Sequence, residues 1–348
     1  MTTFITRLAL AGTAAMCFAA TAGEEEIKDL TAKWAKPGRI AFRADKNGDP
    51  VVQLAGKYGT AEIMTRGGKT LSWKPTGGEE VFFVPKEGAD LDLDDLYGWL
   101  HGGCPIVWPW FGGAGMPQES WWSRTCREWG WSDRHAPNIH GFARSTLFTV
   151  EAAKVDGDKT SLVLSMTDSE QSREFVPYVF KLTLTVTLGE TLAYSLVTEN
   201  RGTEEFSLRE GYHPYFLVSN CFRTWAQGFD GFHYSTNRRL EHDDNHVWQG
   251  DLPISPGCDI FDMKEPKSVT WLCDPGMKRK IRVASTGDRD VLTCCFWFDP
   301  SGRQENLPNA EVKRTVCIEP ASYNRAAVVT VKPGESHVFT MDLAVEKL

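Results

Sequence analysis

Between Phe180 and Leu188 the chain alternates without exception. Phe180, Leu182, Leu184, Val186 and Leu188 share one parity; Lys181, Thr183, Thr185 and Thr187 share the other. Successive side chains of a strand point to opposite faces, so this pattern specifies a strand with one face buried and one wet. Half-buried strands of this kind belong to antiparallel sheets. The signal recurs elsewhere. Phe148 to Ala153 and Leu162 to Met166 flank Asp156-Gly157-Asp158, whose Asp-Gly step marks a hairpin. Val328 to Val331 and Val338 to Leu343 flank Lys332-Pro333-Gly334-Glu335, where Pro presets φ and Gly admits a positive one. No long helical periodicity competes with these strands, and no Pro- or Gly-rich linker divides the chain. The pattern predicts an all-β fold, one large antiparallel β-sandwich.

The first 22 residues stand apart. Arg7 precedes an apolar run from Leu8 to Ala20, and Ala20-Thr21-Ala22 offers small residues for cleavage. That is the pattern of a signal peptide, too short for a spanning helix. The competing reading is a buried N-terminal helix, but Glu24-Glu25-Glu26 follows at once. The expectation is therefore export to the periplasm or the exterior, with 23–348 as a single domain. A net charge of −8 without basic clusters argues against nucleic acid and anionic membrane as partners. Setting Cys17 aside leaves eight of the nine cysteines, which permits disulfides in an oxidising compartment. Cys104 and Cys126 are the first candidate pair. No CxxC or Cys/His spacing indicates a structural zinc site.

Seven of the 13 Trp fall between Trp99 and Trp131. An indole offers a large flat surface with one donor and often lines concave ligand sites, which makes Trp108 a candidate pocket wall. Gly102, Gly103 and Gly112 bracket its apolar run and would let backbone approach a ligand closely. His140 and Arg144, in His140-Gly141-Phe142-Ala143-Arg144, add a titratable group and a fixed cation. The intervening residues 113–138 lack any period of two and predict a long surface loop, of the kind that often serves as a lid. The run Asp90-Leu91-Asp92-Leu93-Asp94-Asp95 lacks the Gly and Glu spacing of an EF-hand and reads as a solvated acidic loop.

Two further stretches carry titratable groups in apolar surroundings. Gly211-Tyr212-His213-Pro214-Tyr215-Phe216 follows strand-like Phe206 to Leu208, and Val316-Cys317-Ile318-Glu319-Pro320-Ala321 has a carboxylate within an apolar run. A buried Glu is costly unless paired or functional. One His and one carboxylate are the minimum set for general acid–base catalysis. Plainer readings stand beside this one. His213 also fits a hydrogen-bonded core residue, Glu319 a turn cap or a partner of Arg314 or Arg325, and Arg144 half of a buried ion pair.

Taken together, these stretches resemble the aldose 1-epimerase (galactose mutarotase-like) superfamily, most closely its hexose-6-phosphate mutarotase branch. The ordered motifs are GKTLSWKP at Gly68 to Pro75, GGEEVFF at Gly77 to Phe83, GGCPIVWPWFG, HGFAR, HPYF and CIEPA. The resemblance implies the superfamily's β-sandwich and a mutarotase acting on a hexose or hexose 6-phosphate without metal or organic cofactor. It assigns His213 to protonation of the ring oxygen and Glu319 to removal of the anomeric hydroxyl proton. It assigns His140 and Arg144 to sugar contacts.

Three departures bear on substrate. The residue before Gly102-Gly103, commonly Arg in that branch, is His101, a weaker partner for phosphate. The family's binding Asp aligns with Cys258, unless Asp259 takes the role from one position over. The 113–138 segment is longer than the family's usual connection. The alternative is a non-catalytic carbohydrate-binding or sugar-sensing protein on the same fold. A polysaccharide lyase or hydrolase using Tyr212 or Tyr215 is a third reading.

Overall fold

The alternation at Phe180–Leu188 holds residue for residue, the apolar parity buried and the other half-exposed. Leu192–Asn200 repeats it, and the two strands pair antiparallel from Leu188↔Leu192 to Phe180↔Asn200. The computed structural model describes residues 12–84, 102–111, 140–173, 176–236, 247–254, 257–263, 267–287, 293–298, 313–322 and 329–348. His101, Asp90 to Asp95, Cys126 and the 113–138 segment lie outside the described residues.

Among the described residues the two strands sit within a nine-stranded antiparallel sheet. Its order is Leu252–Pro253, Trp225–Gln227, Lys267–Asp274, Arg279–Gly287, Ser336–Lys347, Leu192–Asn200, Phe180–Leu188, Lys159–Thr167 and Thr149–Asp156. The hairpin expected at Asp156-Gly157-Asp158 is its last pair, closed at Asp156↔Lys159 with Gly157 at φ 55°. A seven-stranded sheet carries the Gly211 and Glu319 stretches. A four-stranded meander spans Ile40–Ala44 to Thr70–Pro75.

The two large sheets meet through aromatic rings. Tyr212 of the seven-stranded sheet stacks on Phe339 of the nine-stranded one, with ring centroids 5.3 Å apart, and its hydroxyl donates to the Phe339 carbonyl at 2.9 Å. A buried phenol must find an acceptor, and this one finds it across the sandwich. Glu80 of the GGEEVFF stretch is also structural. One carboxylate oxygen accepts from the backbone N–H of Trp73, Val81 and Phe82. The Arg279 guanidinium then ties the Glu80 carbonyl to that of Leu217.

One expectation is corrected. A 23-residue helix, Gly12–Trp34, stands where no long helix was expected. Ile27, Leu30 and Trp34 follow helical spacing, and Leu30 and Trp34 pack partly buried against the core. The helix includes Ala22, and no described helix is long and apolar enough to cross a membrane. Cys104, Cys221, Cys273 and Cys317 are buried and in no disulfide among the described residues, and Cys126, the expected partner of Cys104, lies outside them. Burial pushes the Cys104 thiol up, which keeps it protonated beside Tyr194. The turn expected at Lys332-Pro333-Gly334-Glu335 is present, with Gly334 at φ 75°, and it connects two sheets: Val329–Val331 pairs with Phe206–Leu208, while Ser336–Lys347 joins the nine-stranded sheet.

Candidate active site

Strand register brings the two titratable stretches together. Gly211–Tyr212 pairs with Thr315–Ala321 at Gly211↔Ala321, and Tyr215–Leu217 pairs with the same strand at Tyr215↔Cys317. Both pairings belong to one register, so the residue opposite Glu319 between them is His213. The ladder is open there because neither Pro214 nor Pro320 has an N–H to give. The His213 N–H turns instead to the Pro105 carbonyl at 3.0 Å. In this gap His213 Nε2 lies 3.3 Å from Glu319 Oε1. The residues are 4% and 1% exposed.

Period-two neighbours complete the face. Tyr215, two residues after His213, stacks on its ring at 4.8 Å and 18°. Burial first, then the charges of Cys317 and Glu319, push the Tyr215 hydroxyl well above its ordinary value, so it stays a neutral donor. Cys317, two residues before Glu319, brings a sulfur within 4.8 Å of the His213 and Glu319 ligand atoms. Next to Gly211, Glu210 and His337 form a second buried carboxylate–imidazole pair.

The His140–Arg144 stretch forms the adjoining wall. His140 has φ 64° and Gly141 φ 73°, a left-handed pair that turns the chain sharply. A Cβ at Gly141 would lie 1.9 Å from the Trp108 carbonyl oxygen, so only glycine fits. That carbonyl accepts the Ala143 N–H at 3.2 Å. The turn sets His140 edge-on to His213, with centroids 5.3 Å apart, and edge-on to Phe111 at 4.7 Å. Burial, then the charges of His213 and Arg144, hold the His140 imidazole well below its usual pKa, so it is neutral at pH 7. Arg144 sits on the short 3₁₀ turn Ala143–Ser145. Its field reaches His140, Tyr215 and Lys69.

Of the residues singled out from sequence, His213, Glu319 and His140 converge, with Arg144 beside them. Trp108 does not line the site, which corrects that expectation. Its ring is fully buried between Phe142 and Phe180, and its indole N–H donates to Thr198 at 3.0 Å. A fully buried indole with its donor committed is a core residue. Asp259 is placed by backbone alone, two strands from Glu319. It pairs with Phe296, itself paired with Ile318, whereas Glu319's own row runs through Cys295 to Ile260.

Sequence reasoning missed Lys69 and the local roles of Tyr215 and Cys317. Lys69 is 8% exposed. Burial first, then the Arg144 charge, hold its ammonium pKa well below the ordinary value. Counting by twos from His213 and Glu319 would have found Tyr215 and Cys317.

Comparisons with known proteins bear on the family and the fold. A family model described as Aldose 1-epimerase matches residues 50–344. A Cenchrus ciliaris protein named "Putative glucose-6-phosphate 1-epimerase" is 26% identical over 302 residues, covering 82% of each chain. A Salmonella typhimurium protein of the same name is 30% identical over 268 residues, covering 74% of this chain and 78% of its own. Among solved structures, a "putative mutarotase (YeaD)" from Salmonella typhimurium matches with a TM-score of 0.73 at 20% identity, covering 93% of this chain and 100% of its own. A galactose mutarotase-like protein from Clostridium acetobutylicum matches at 0.67 and 18%, covering 89% and 98%. At these identities the solved structures speak to the fold.

Proposed function

Because this chain belongs to the aldose 1-epimerase family, we propose that it interconverts the α and β anomers of a hexose or hexose 6-phosphate by acid–base ring opening. The observation that carries this reading is the buried His213–Glu319 pair at 3.3 Å. Ring opening needs a proton delivered to the ring oxygen and one removed from the anomeric hydroxyl, and both oxygens are bonded to C1. An acid and a base that serve two oxygens on one carbon must stand side by side, as these do.

In the forward step, protonated His213 gives its Nε2 proton to the ring oxygen while the Glu319 carboxylate takes the proton of the C1 hydroxyl. The bond from C1 to the ring oxygen breaks and C1 becomes an aldehyde. Rotation about the C1–C2 bond presents the other carbonyl face. On closure the ring hydroxyl returns its proton to His213, and Glu319 protonates the former carbonyl oxygen. The stacked Tyr215 ring restrains the His213 plane, and neutral His140 and charged Arg144 supply donors for sugar hydroxyls or a phosphate.

Two considerations divide the substrate. The relatives' names point to glucose 6-phosphate; His101 in place of the branch's Arg, and a leader-like residues 1–22, favour an unphosphorylated sugar met after export. NMR exchange spectroscopy on glucose, galactose and glucose 6-phosphate tests both points. Accelerated exchange of one sugar, abolished by His213→Ala and by Glu319→Gln, is the expected result. Saturable sugar binding without exchange would overturn the enzyme and leave a binding protein.

A further inference from the structure

We propose that His213, Cys317 and Glu319 form a binding site for a thiophilic divalent cation, with Zn²⁺ as its probe, and that the bound ion blocks the acid–base pair. The proposed reaction uses His213 and Glu319 but gives Cys317 no role, although its sulfur is buried and in no disulfide. The three ligand atoms, one sulfur, one imidazole nitrogen and one carboxylate oxygen, lie within 4.8 Å of one another. That donor set is typical of zinc: thiolate selects against Mg²⁺ and Ca²⁺, which take oxygen ligands.

The distances suit the ion. Zinc–sulfur bonds of about 2.3 Å and zinc–nitrogen or –oxygen bonds of about 2.0–2.1 Å place tetrahedral ligand atoms roughly 3.3–3.6 Å apart. The His213–Glu319 separation of 3.3 Å already meets that spacing. The Cys317 sulfur, within 4.8 Å of both, has about 1 Å to close to reach that spacing. The backbone frame is rigid: Cys317 and Glu319 are two residues apart on a fully buried strand, and His213 faces Glu319 across the register. Three protein ligands leave a fourth position for water or a sugar hydroxyl. No sequence spacing reveals the site, because its two halves are brought together only by strand pairing.

Binding of the cation does not depend on what the pair does to a sugar, so the first arm of the test stands apart from the mutarotase reading. Metal-free full-length protein is titrated with Co²⁺ and then Zn²⁺. The expected result is one Co²⁺ per chain with a thiolate-to-metal charge-transfer band, displaced by Zn²⁺ and unaffected by Mg²⁺. Cys317→Ser should remove the band and weaken Zn²⁺ binding at least tenfold. Glu319→Gln, with its thiol retained, should keep sulfur ligation and also bind at least tenfold more weakly. Circular dichroism identifies any variant that fails to fold, and Cys317→Ala then replaces Cys317→Ser. Absence of the band in the unmodified protein, or equal Zn²⁺ affinity in folded Cys317 variants, would overturn the proposal. In the second arm, Zn²⁺ should abolish anomeric exchange and a chelator should restore it; exchange that persists with the site saturated would overturn the block.

Discussion

Along Phe180–Leu188 every second residue is half-exposed, whereas along Thr315–Ala321 all seven are buried. The first strand has one wet face, filled by Lys181 and three threonines, and its buried parity packs with the sandwich core. The second has no wet face. Val316, Cys317 and Ile318 all join the core, and on the parity of Cys317 the Glu319 carboxylate meets His213. A strand with a solvated face can place polar residues there at little cost. A strand buried on both sides can keep a carboxylate only where something answers its charge. The contrast shows how one kind of element serves as scaffold in one sheet and as reactive surface in the other.

Substitutions at the two strands should therefore fail in opposite ways. Glu319→Gln and His213→Ala should each lower the exchange rate by about 10²–10⁴-fold with the fold retained. Because the two residues act as a unit, the double variant should be little worse than either single one. A Glu319→Gln protein exchanging at the unmodified rate would remove the distinction between the strands. Leu182→Ala, at a fully buried position of the scaffold strand, should cost about 2–5 kcal/mol in urea unfolding. Its exchange rate per folded molecule should be unchanged.

Smaller effects sharpen the comparison at the site's edge. The folded-state pKa of Lys69 lies well below that of the unfolded chain, so its unfavourable contribution appears as pH falls below about 10.5 and is present at pH 7. Lys69→Met should then raise stability at pH 7 by about 1–3 kcal/mol. Lower stability together with weaker substrate binding would instead make Lys69 a working cation of the site. His140 follows the same sign. Its folded pKa is depressed, so the stability due to the neutral ring is complete above about pH 6.5 and is lost as pH falls toward the folded value. The slope from this residue is at most about 1.4 kcal/mol per pH unit. Asparagine tolerates the left-handed backbone, so His140→Asn should flatten stability against pH between 6.5 and 5 and leave it nearly unchanged at pH 8.

The scaffold was legible because its chemistry repeats. Phe180 to Leu188 states its own burial, and the Asp-Gly turn fixes the next pair. His213 and Glu319 were legible as residue types in apolar runs, but nothing local says that they meet. Their contact depends on pairing between distant strands, and the same holds for Cys317 and the His213 ring. Trp108 misled because an indole fills a core as readily as it lines a pocket; only the partner of its N–H distinguishes the two. Lys69 was invisible because a lysine between glycine and threonine has no local mark of burial. The helix from Gly12 to Trp34 was hidden by a narrow stripe, Ile27, Leu30 and Trp34, following three consecutive glutamates.

The single register that sets Gly211 against Ala321 and Tyr215 against Cys317 also frees the rest of the chain. The distance between His213 and Glu319 is written in the alignment of two strands and owes nothing to the number of residues between them. Loops in that interval can lengthen or shorten without parting the imidazole from the carboxylate. One residue inserted between Cys317 and Glu319 has the opposite result: with Cys317 held opposite Tyr215, it carries Glu319 to the far side of the sheet from His213.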